Sequence, residues 1–286
     1  MDKGKERHIE ILHQGYLKKD TLIGNALLDM YSRLHAPLEA QEVFDETIVR
    51  DTVSWNLLVM SYSHCGFNAY KVLAYFARMK IEGFLPSINT YACALNACGN
   101  LKASHYGRRI HVQILKECLL EEKDNVAGNS LVDMYGKCGS FKDAQGVFDT
   151  FLDRDPIAWN AMVSAQVQSG EGAQTYQFFT RMLLECVLPC RATFASSLSA
   201  FVIQEMLGEG KRLHTHVIGS KFKADIVLGN TLVNMYGKCG YFNEAETIFK
   251  ELPEGDVVSW NALIAAYAQQ KHEDKAWGLM EQMQVE

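Results

Sequence analysis

The chain has 286 residues, of which 48% are hydrophobic and only five are Pro, and its formal net charge is -6. That composition is too apolar for a disordered chain and too poor in Pro for a linker. The acidic balance argues against a polyanion binder that relies on a broad basic face, though not against a reader of single strands through local contacts. No stretch approaches eighteen uncharged apolar residues, the length a membrane-spanning helix needs. The eight Cys contain no CxxC pair. Reduced, buried thiols are therefore expected rather than disulfides or a metal site.

In chain order, residues 1–20 (MDKGKERHIEILHQGYLKKD) read as the second half of a repeat whose first half is missing. The array is expected to begin mid-repeat, as in a fragment or a truncated product. The N-terminus has acidic residues and neither an apolar h-region nor a Ser/Arg-rich amphipathic pattern, so no targeting peptide is visible. Residues 21–51 form the first complete unit. Leu27, Met30, Tyr31 and Leu34 fall at i, i+3, i+4 and i+7 on one helical face, and after a break at Ala36-Pro37 a second face follows with Ala40, Val43 and Phe44. The unit is therefore an αα-hairpin.

Residues 52–87 repeat this plan from SWNLLVMSYSHCG to VLAYFARM and close on Gly-Phe-Leu-Pro, a helix stop. Residues 88–124 differ, because Ala92 stands where the other units carry Asn. Their counterpart is 191–225, with Ala195, and GKRLH there matches GRRIH in the earlier unit. Units 125–155, 156–190 and 226–256 lie between and after them, and 257–286 begins a further unit. Seven full repeats and two partial ones result.

Close copies of one stretch organise the array. They run from Asn25 to Asn56, Asn129 to Asn160 and Asn230 to Asn261, each with a Met-Tyr turn, a second helix ending in Phe, and an Asp shortly before Trp-Asn. The Trp-Asn pairs recur about every hundred residues, and three unit types of about 31, 35 and 35–37 residues alternate. The fold class is all-α, a stack of helix-turn-helix repeats.

Several residues carry two readings. Asp51, Asp155 and Asp256 precede helices and are suited to capping free N–H groups. Trp55, Trp159 and Trp260 share helical spacing with Leu58, Val163 and Ile264, which favours core packing over base stacking. Arg33, Lys137 and Lys238 share the end of the first helix, as phosphate contacts or as cations at the negative end of the helix dipole. His111 and His214 follow Gly-Arg-Arg-Ile and Gly-Lys-Arg-Leu, and with no further ligands nearby they read as repeat packing rather than metal binding. His8 and Glu10 make the H-x-E of zinc deaminases, but no P-C-x-x-C follows. No cofactor and no catalytic group is expected.

The alternating lengths resemble the PLS class of pentatricopeptide repeat proteins. The motifs that carry the likeness are NALLDMY, NSLVDMYGKCG and NTLVNMYGKCG in the short units, VSWN or IAWN in the next, and GRRIH or GKRLH in the third. The resemblance covers essentially the whole chain. It implies a right-handed superhelix of αα-hairpins that binds single-stranded RNA at one nucleotide per repeat, with N-terminal repeats toward the 5′ end. It also implies a role in organellar RNA editing or transcript processing, in a mitochondrion or chloroplast, with any deaminase supplied in trans.

By the same resemblance, the fifth residue of each first helix and the last residue of the repeat read the base. The pairs are Asn25 with Asp51, Asn56 with Ser87, Asn129 with Asp155, Asn160 with Cys190 and Asn230 with Asp256, and Asn261 opens the last unit. Ala92 with Asp124 and Ala195 with Asp225 are the weaker, spacer-like pairs. The second positions Leu22, Val53, Val126, Ile157, Val227 and Val258 would sandwich bases, and Asn89 and Ala192 replace them in the odd units. Asn with Asp implies U and Asn with Ser implies C, which gives 5′-U-C-n-U-Y-n-U-Y-3′. A helical scaffold that grips a protein segment without base preference is the alternative. Self-association through open solenoid ends is a further expectation, since polar capping repeats are not evident.

Overall fold

A computed structural model describes residues 8, 10–11, 20–65, 68–117, 125–151, 154–170, 172–203, 206–252 and 256–285. Among the described residues there are sixteen helices and no strand. The half-repeat expected at 1–20 falls largely outside them, although His8, Glu10 and Ile11 are helical. The chain divides into two compact units, 1–151 and 152–286.

The first unit contains α1 (Thr21–Arg33), α2 (Pro37–Glu46), α3 (Thr52–His64), α4 (Ala69–Ile81), α5 (Ile88–Asn100), α6 (Ser104–Lys116), α7 (Val126–Lys137) and α8 (Phe141–Asp149). The odd-numbered helices pack on one another in sequence, and each even-numbered helix folds back on the helix before it. Leu27, Tyr31, Ala40, Val43 and Phe44 are all buried, so both apolar faces of the first hairpin meet in one core. Leu34 departs from the expected stripe. The helix ends at Arg33, Leu34 is its C-cap and is 42% exposed, and His35 turns the chain through φ 53°.

The second unit contains α9 (Pro156–Ser169), α10 (Gly172–Leu184), α11 (Arg191–Ile203), α12 (Leu207–Ile218), α13 (Ile226–Lys238), α14 (Phe242–Glu251), α15 (Val257–Gln269) and α16 (Glu273–Val285). It stacks in the same way around Phe179, Leu198, Phe201, Leu213, Val233 and Tyr267.

A left-handed residue ends the first helix wherever the turn is described. Gly139, Gly170 and Gly240 have φ of 74°, 76° and 78°, and His35, Lys102 and Lys271 take the same place at 53°, 53° and 61°. The reversal closes orphan carbonyls, as when Ser140 N–H donates to Tyr135 O at 2.9 Å and Tyr241 N–H to Tyr236 O at 2.9 Å. The expected stop at Gly83 also forms, with φ 85° and Phe84 N–H donating to Met79 O.

The described thiols are free, but their burial is less complete than composition implies. Of the described cysteines Cys98 is buried, Cys186 is exposed and the rest are half-buried. Most sit at helix ends and turns, where neighbours cover one side only. No helix is long and apolar enough to cross a membrane among the described residues.

Candidate nucleic-acid interface

The first turns of the odd-numbered helices carry an unusual surface. Leu22, Val53, Ile157, Val227 and Val258 are 77%, 50%, 65%, 49% and 60% exposed, while Val126 is half-buried. A core-packing helix turns its aliphatic groups inward, so exposed aliphatics recurring at one register have no packing explanation. Asn89 and Ala192, at this register in the odd units, are also exposed.

One turn further on stand the Asn residues, of which Asn25, Asn56 and Asn230 are held by hydrogen bonds that include one from the next repeat. Asn25 Nδ2 donates to both Asp51 carboxylate oxygens at 3.2 Å, and Ser54 Oγ donates to Asn25 Oδ1 at 2.6 Å. Asp51 also accepts from Ser54 N–H at 2.8 Å, and its own N–H donates to Ser54 Oγ at 3.3 Å, a capping box at the start of α3. In the second unit Asn230 Nδ2 donates to Asp256 at 3.2 Å. Ser259 Oγ donates to Asn230 Oδ1 at 2.5 Å, and Ser259 N–H to Asp256 at 2.7 Å. The two Asp readings are thus not exclusive, because one carboxylate caps a helix and holds an Asn together.

These bonds also fix the charge of the carboxylates. Burial pushes Asp51 up, but the Ser54 N–H and the Asn25 amide outweigh it and hold the group below its ordinary value. Asp256 is lowered by the Ser259 hydroxyl and backbone N–H, with Asn230 assisting. Both are ionised, acceptor-only groups at neutral pH.

The Asn56 set uses a different closing residue. Thr90 Oγ1 donates to Asn56 Oδ1 at 2.5 Å, Ser87 N–H donates to the same oxygen at 3.4 Å, and Ser87 Oγ caps α5 through Thr90 N–H at 3.2 Å. Asn160 is not held in this way. Its Oδ1 is buried without a partner, and the Thr193 hydroxyl lies 3.3 Å from Cys190 Sγ instead. Burial raises the Cys190 thiol, yet bonds from the Thr193 side chain and backbone bring it below its ordinary value.

The remaining positions are simpler. Asn129 Oδ1 is buried without a partner, and Asn261 is exposed. Asp155 caps α9 by accepting from Ala158 N–H at 2.7 Å, and Asp225 caps α13 by accepting from Leu228 N–H at 3.1 Å. Ala92 and Ala195 are half-buried and carry no polar group, while Asp124 lies outside the described residues.

The basic residues separate. Arg33 pairs with Asp29 at 2.8 Å and Lys137 with Asp133 at 2.7 Å, both one turn back on their own helix. Lys238 is exposed, with Asn234 where the others have Asp. Trp55 and Trp159 are fully buried and Trp260 nearly so, and Phe44 and Phe249 meet Trp55 and Trp260 edge-on at 4.6 and 4.7 Å. These rings are core rather than base-stacking surface.

His111 and His214 have a structural partner that the sequence did not disclose. His111 Nδ1 lies 2.9 Å from Tyr135 Oη and His214 Nδ1 lies 3.0 Å from Tyr236 Oη. His8 and Tyr31 repeat the pair at 3.0 Å, so the H-x-E at the N-terminus is a repeat position. Among the described residues no three His, Cys, Asp or Glu side chains converge on a metal site. The hydroxyls of Ser54, Thr90, Thr193 and Ser259 were also missed, although each stands three residues after the last position of a repeat.

A pentatricopeptide repeat family model matches residues 129–155, 230–257 and 258–286. The mitochondrial pentatricopeptide repeat-containing protein At3g09040 of Arabidopsis thaliana is 34% identical over 96% of the chain and 26% of its own length. The chloroplastic pentatricopeptide repeat-containing protein At4g18520 of the same plant is 31% identical over 99% of the chain and 45% of its own length. The chain thus spans between a quarter and a half of the length of these two relatives. Among solved structures, the pentatricopeptide repeat protein PPR10 in complex with an 18-nt psaJ RNA element superposes with a TM-score of 0.75, at 17% identity over 97% of the chain and 42% of that protein. A second structure, of the pentatricopeptide repeat protein PPR10 from maize, superposes with a TM-score of 0.59, at 19% identity over 93% of the chain and 43% of that protein. The repeats, their order and these likenesses place the chain in the family of pentatricopeptide repeat proteins.

Proposed function

We propose that the chain binds single-stranded RNA at one nucleotide per repeat, with a base held between aliphatic second positions and read by the Asn and the last residue of each repeat. The observation that carries this reading is the recurrence of an exposed aliphatic one turn before a hydrogen-bonded Asn, as at Val53 and Asn56 and again at Val227 and Asn230. An apolar clamp beside a fixed amide suits a stacked, unpaired base better than a duplex or a flat protein surface. The alternating unit lengths support a PLS-class reading of the array. The RNA complex of PPR10 supports the ligand class, and relatives named mitochondrial or chloroplastic support an organellar setting.

The register 5′-U-C-n-U-Y-n-U-Y-3′ follows from the pairs, with the Ala-bearing repeats contributing no hydrogen bond. Site selection for editing or transcript processing is the role that fits a binder of this kind, with the chemistry supplied by another protein. The test is a titration with 5′-UCAUUAUU-3′ RNA against 5′-GCAGUAGU-3′. Preference for the first supports the reading. Equal binding of both, or binding of neither by folded protein, removes it and favours a scaffold for a protein segment.

A further inference from the structure

We infer that the hydroxyl three residues after the last position of a repeat is a positioning residue, one that sets which hydrogen-bonding edge the Asn of that repeat offers a base. The inference rests on the RNA-binding reading above and deepens it from two side chains per repeat to three.

The amide orientations follow from chemistry. A carboxylate only accepts, so the atom of Asn25 and of Asn230 that faces Asp51 or Asp256 is Nδ2, and Oδ1 faces the Ser hydroxyl. Each of these amides keeps one N–H and one Oδ1 lone pair for a ligand. Uracil presents that combination in reverse, a carbonyl oxygen beside N3–H.

Asn56 is oriented by a backbone N–H, which only donates. The atom facing Ser87 N–H is therefore Oδ1, and Thr90 Oγ1 donates to the same atom. Both lone pairs of Oδ1 are engaged, and among the described residues Nδ2 has no hydrogen-bond partner. Asn56 is thus a donor-only amide. Cytosine, with N3 and O2 as adjacent acceptors, is the pyrimidine that matches it.

Thr90 supplies the shorter of the two bonds that close Oδ1, at 2.5 Å against 3.4 Å. Without its hydroxyl an acceptor lone pair returns, and uracil N3–H can be met. Thr193 shows the contrasting case, since its hydroxyl lies against Cys190 Sγ and leaves Asn160 Oδ1 without a partner. That repeat should not separate U from C.

The test compares wild type, Thr90→Val and Thr90→Ser, each titrated with 5′-UCAUUAUU-3′ and 5′-UUAUUAUU-3′. Valine keeps the shape and removes the donor, and serine keeps the donor. Wild type and Thr90→Ser should prefer C at the second base. Thr90→Val should lose about threefold or more of that preference, the scale of one neutral hydrogen bond, with discrimination of U from G at the first base unchanged. A purely structural role would weaken both oligomers equally. Undiminished C preference in folded Thr90→Val overturns the inference alone. Failure of wild type to distinguish 5′-UCAUUAUU-3′ from 5′-GCAGUAGU-3′ overturns the RNA-binding reading and the inference with it. Thr90→Ala takes the place of the valine variant if the latter does not melt cooperatively.

Discussion

Ser259 Oγ donates to Asn230 Oδ1 across 2.5 Å, joining the start of α15 to the middle of α13. Ser259 is fully buried and Asn230 nearly so. The bond ties one repeat to the next as well as orienting the amide.

Removing that hydroxyl should therefore destabilise the second unit. Ser259→Ala leaves the Asn230 carbonyl buried with no donor and removes the hydroxyl 2.7 Å from the Asp256 carboxylate. The expected loss is about 1–2 kcal/mol, read as a lower urea midpoint with unchanged slope. A change under about 0.3 kcal/mol would mean that water replaces the hydroxyl.

The His–Tyr pairs predict an acid-side loss of stability. Burial lowers His111 and His214 below the ordinary value of 6.5, partly opposed by Asp143 and Glu251 respectively. In the unfolded chain these rings bind protons from about 6.5 downward, so unfolding takes up protons in that range. The neutral pairs contribute fully above that point, and the contribution is lost as pH falls through the lowered folded values. The thermal midpoint should drop as pH falls below about 6.5. Replacing both histidines by Phe should flatten that stretch of the profile, and an equally steep profile in the double variant would assign the loss elsewhere.

Two glycines should respond to Ala with opposite signs. A Cβ on Gly237 would stand 2.3 Å from the Ala266 Cβ, a rigid neighbour, while one on Gly146 would meet nothing within 4 Å. Gly237→Ala should destabilise by about 1–3 kcal/mol. Gly146→Ala, on the exposed side of α8, should stabilise by about 0.5–1 kcal/mol. Urea unfolding of both reads the difference, and stabilisation by both would contradict the close approach of α13 and α15.

Fold and ligand contact should separate at Trp55 and Val53, two neighbours in sequence. Trp55 is fully buried and Val53 half exposed. Trp55→Ala should lose about 3–5 kcal/mol. Val53→Ser should stay within about 0.5 kcal/mol of wild type and yet weaken RNA binding. Weak binding by a destabilised Trp55 variant with intact binding by Val53→Ser would place the contact surface elsewhere.

The repeat period and the helical hairpins were legible because Met-Tyr and Trp-Asn recur about every hundred residues and the apolar spacing is helical. Leu34 misled the stripe because spacing alone does not register a left-handed residue at His35. The pairing of Arg33 with Asp29 and Lys137 with Asp133 could have been read from the i, i+4 interval, whereas Lys238 lacks that carboxylate. The His111–Tyr135 pair was not legible, because its members lie on different helices and neither residue type names the other. Ser54, Thr90 and Ser259 were hidden for another reason. A hydroxyl at the third position of a helix reads as a local partner of the N-cap residue, as Ser54 is of Asp51, and only the fold shows that it also bonds an Asn in the preceding repeat.

The most direct test of base reading by this chain is the affinity ratio between 5′-UCAUUAUU-3′ and 5′-GCAGUAGU-3′ in moderate salt, measured for wild type and for the Asn129→Ala, Asn230→Ala double variant. The account predicts clear preference for the first by wild type and loss of that preference in the folded variant. A ratio near one in wild type, or a ratio unchanged by the double substitution, would contradict it.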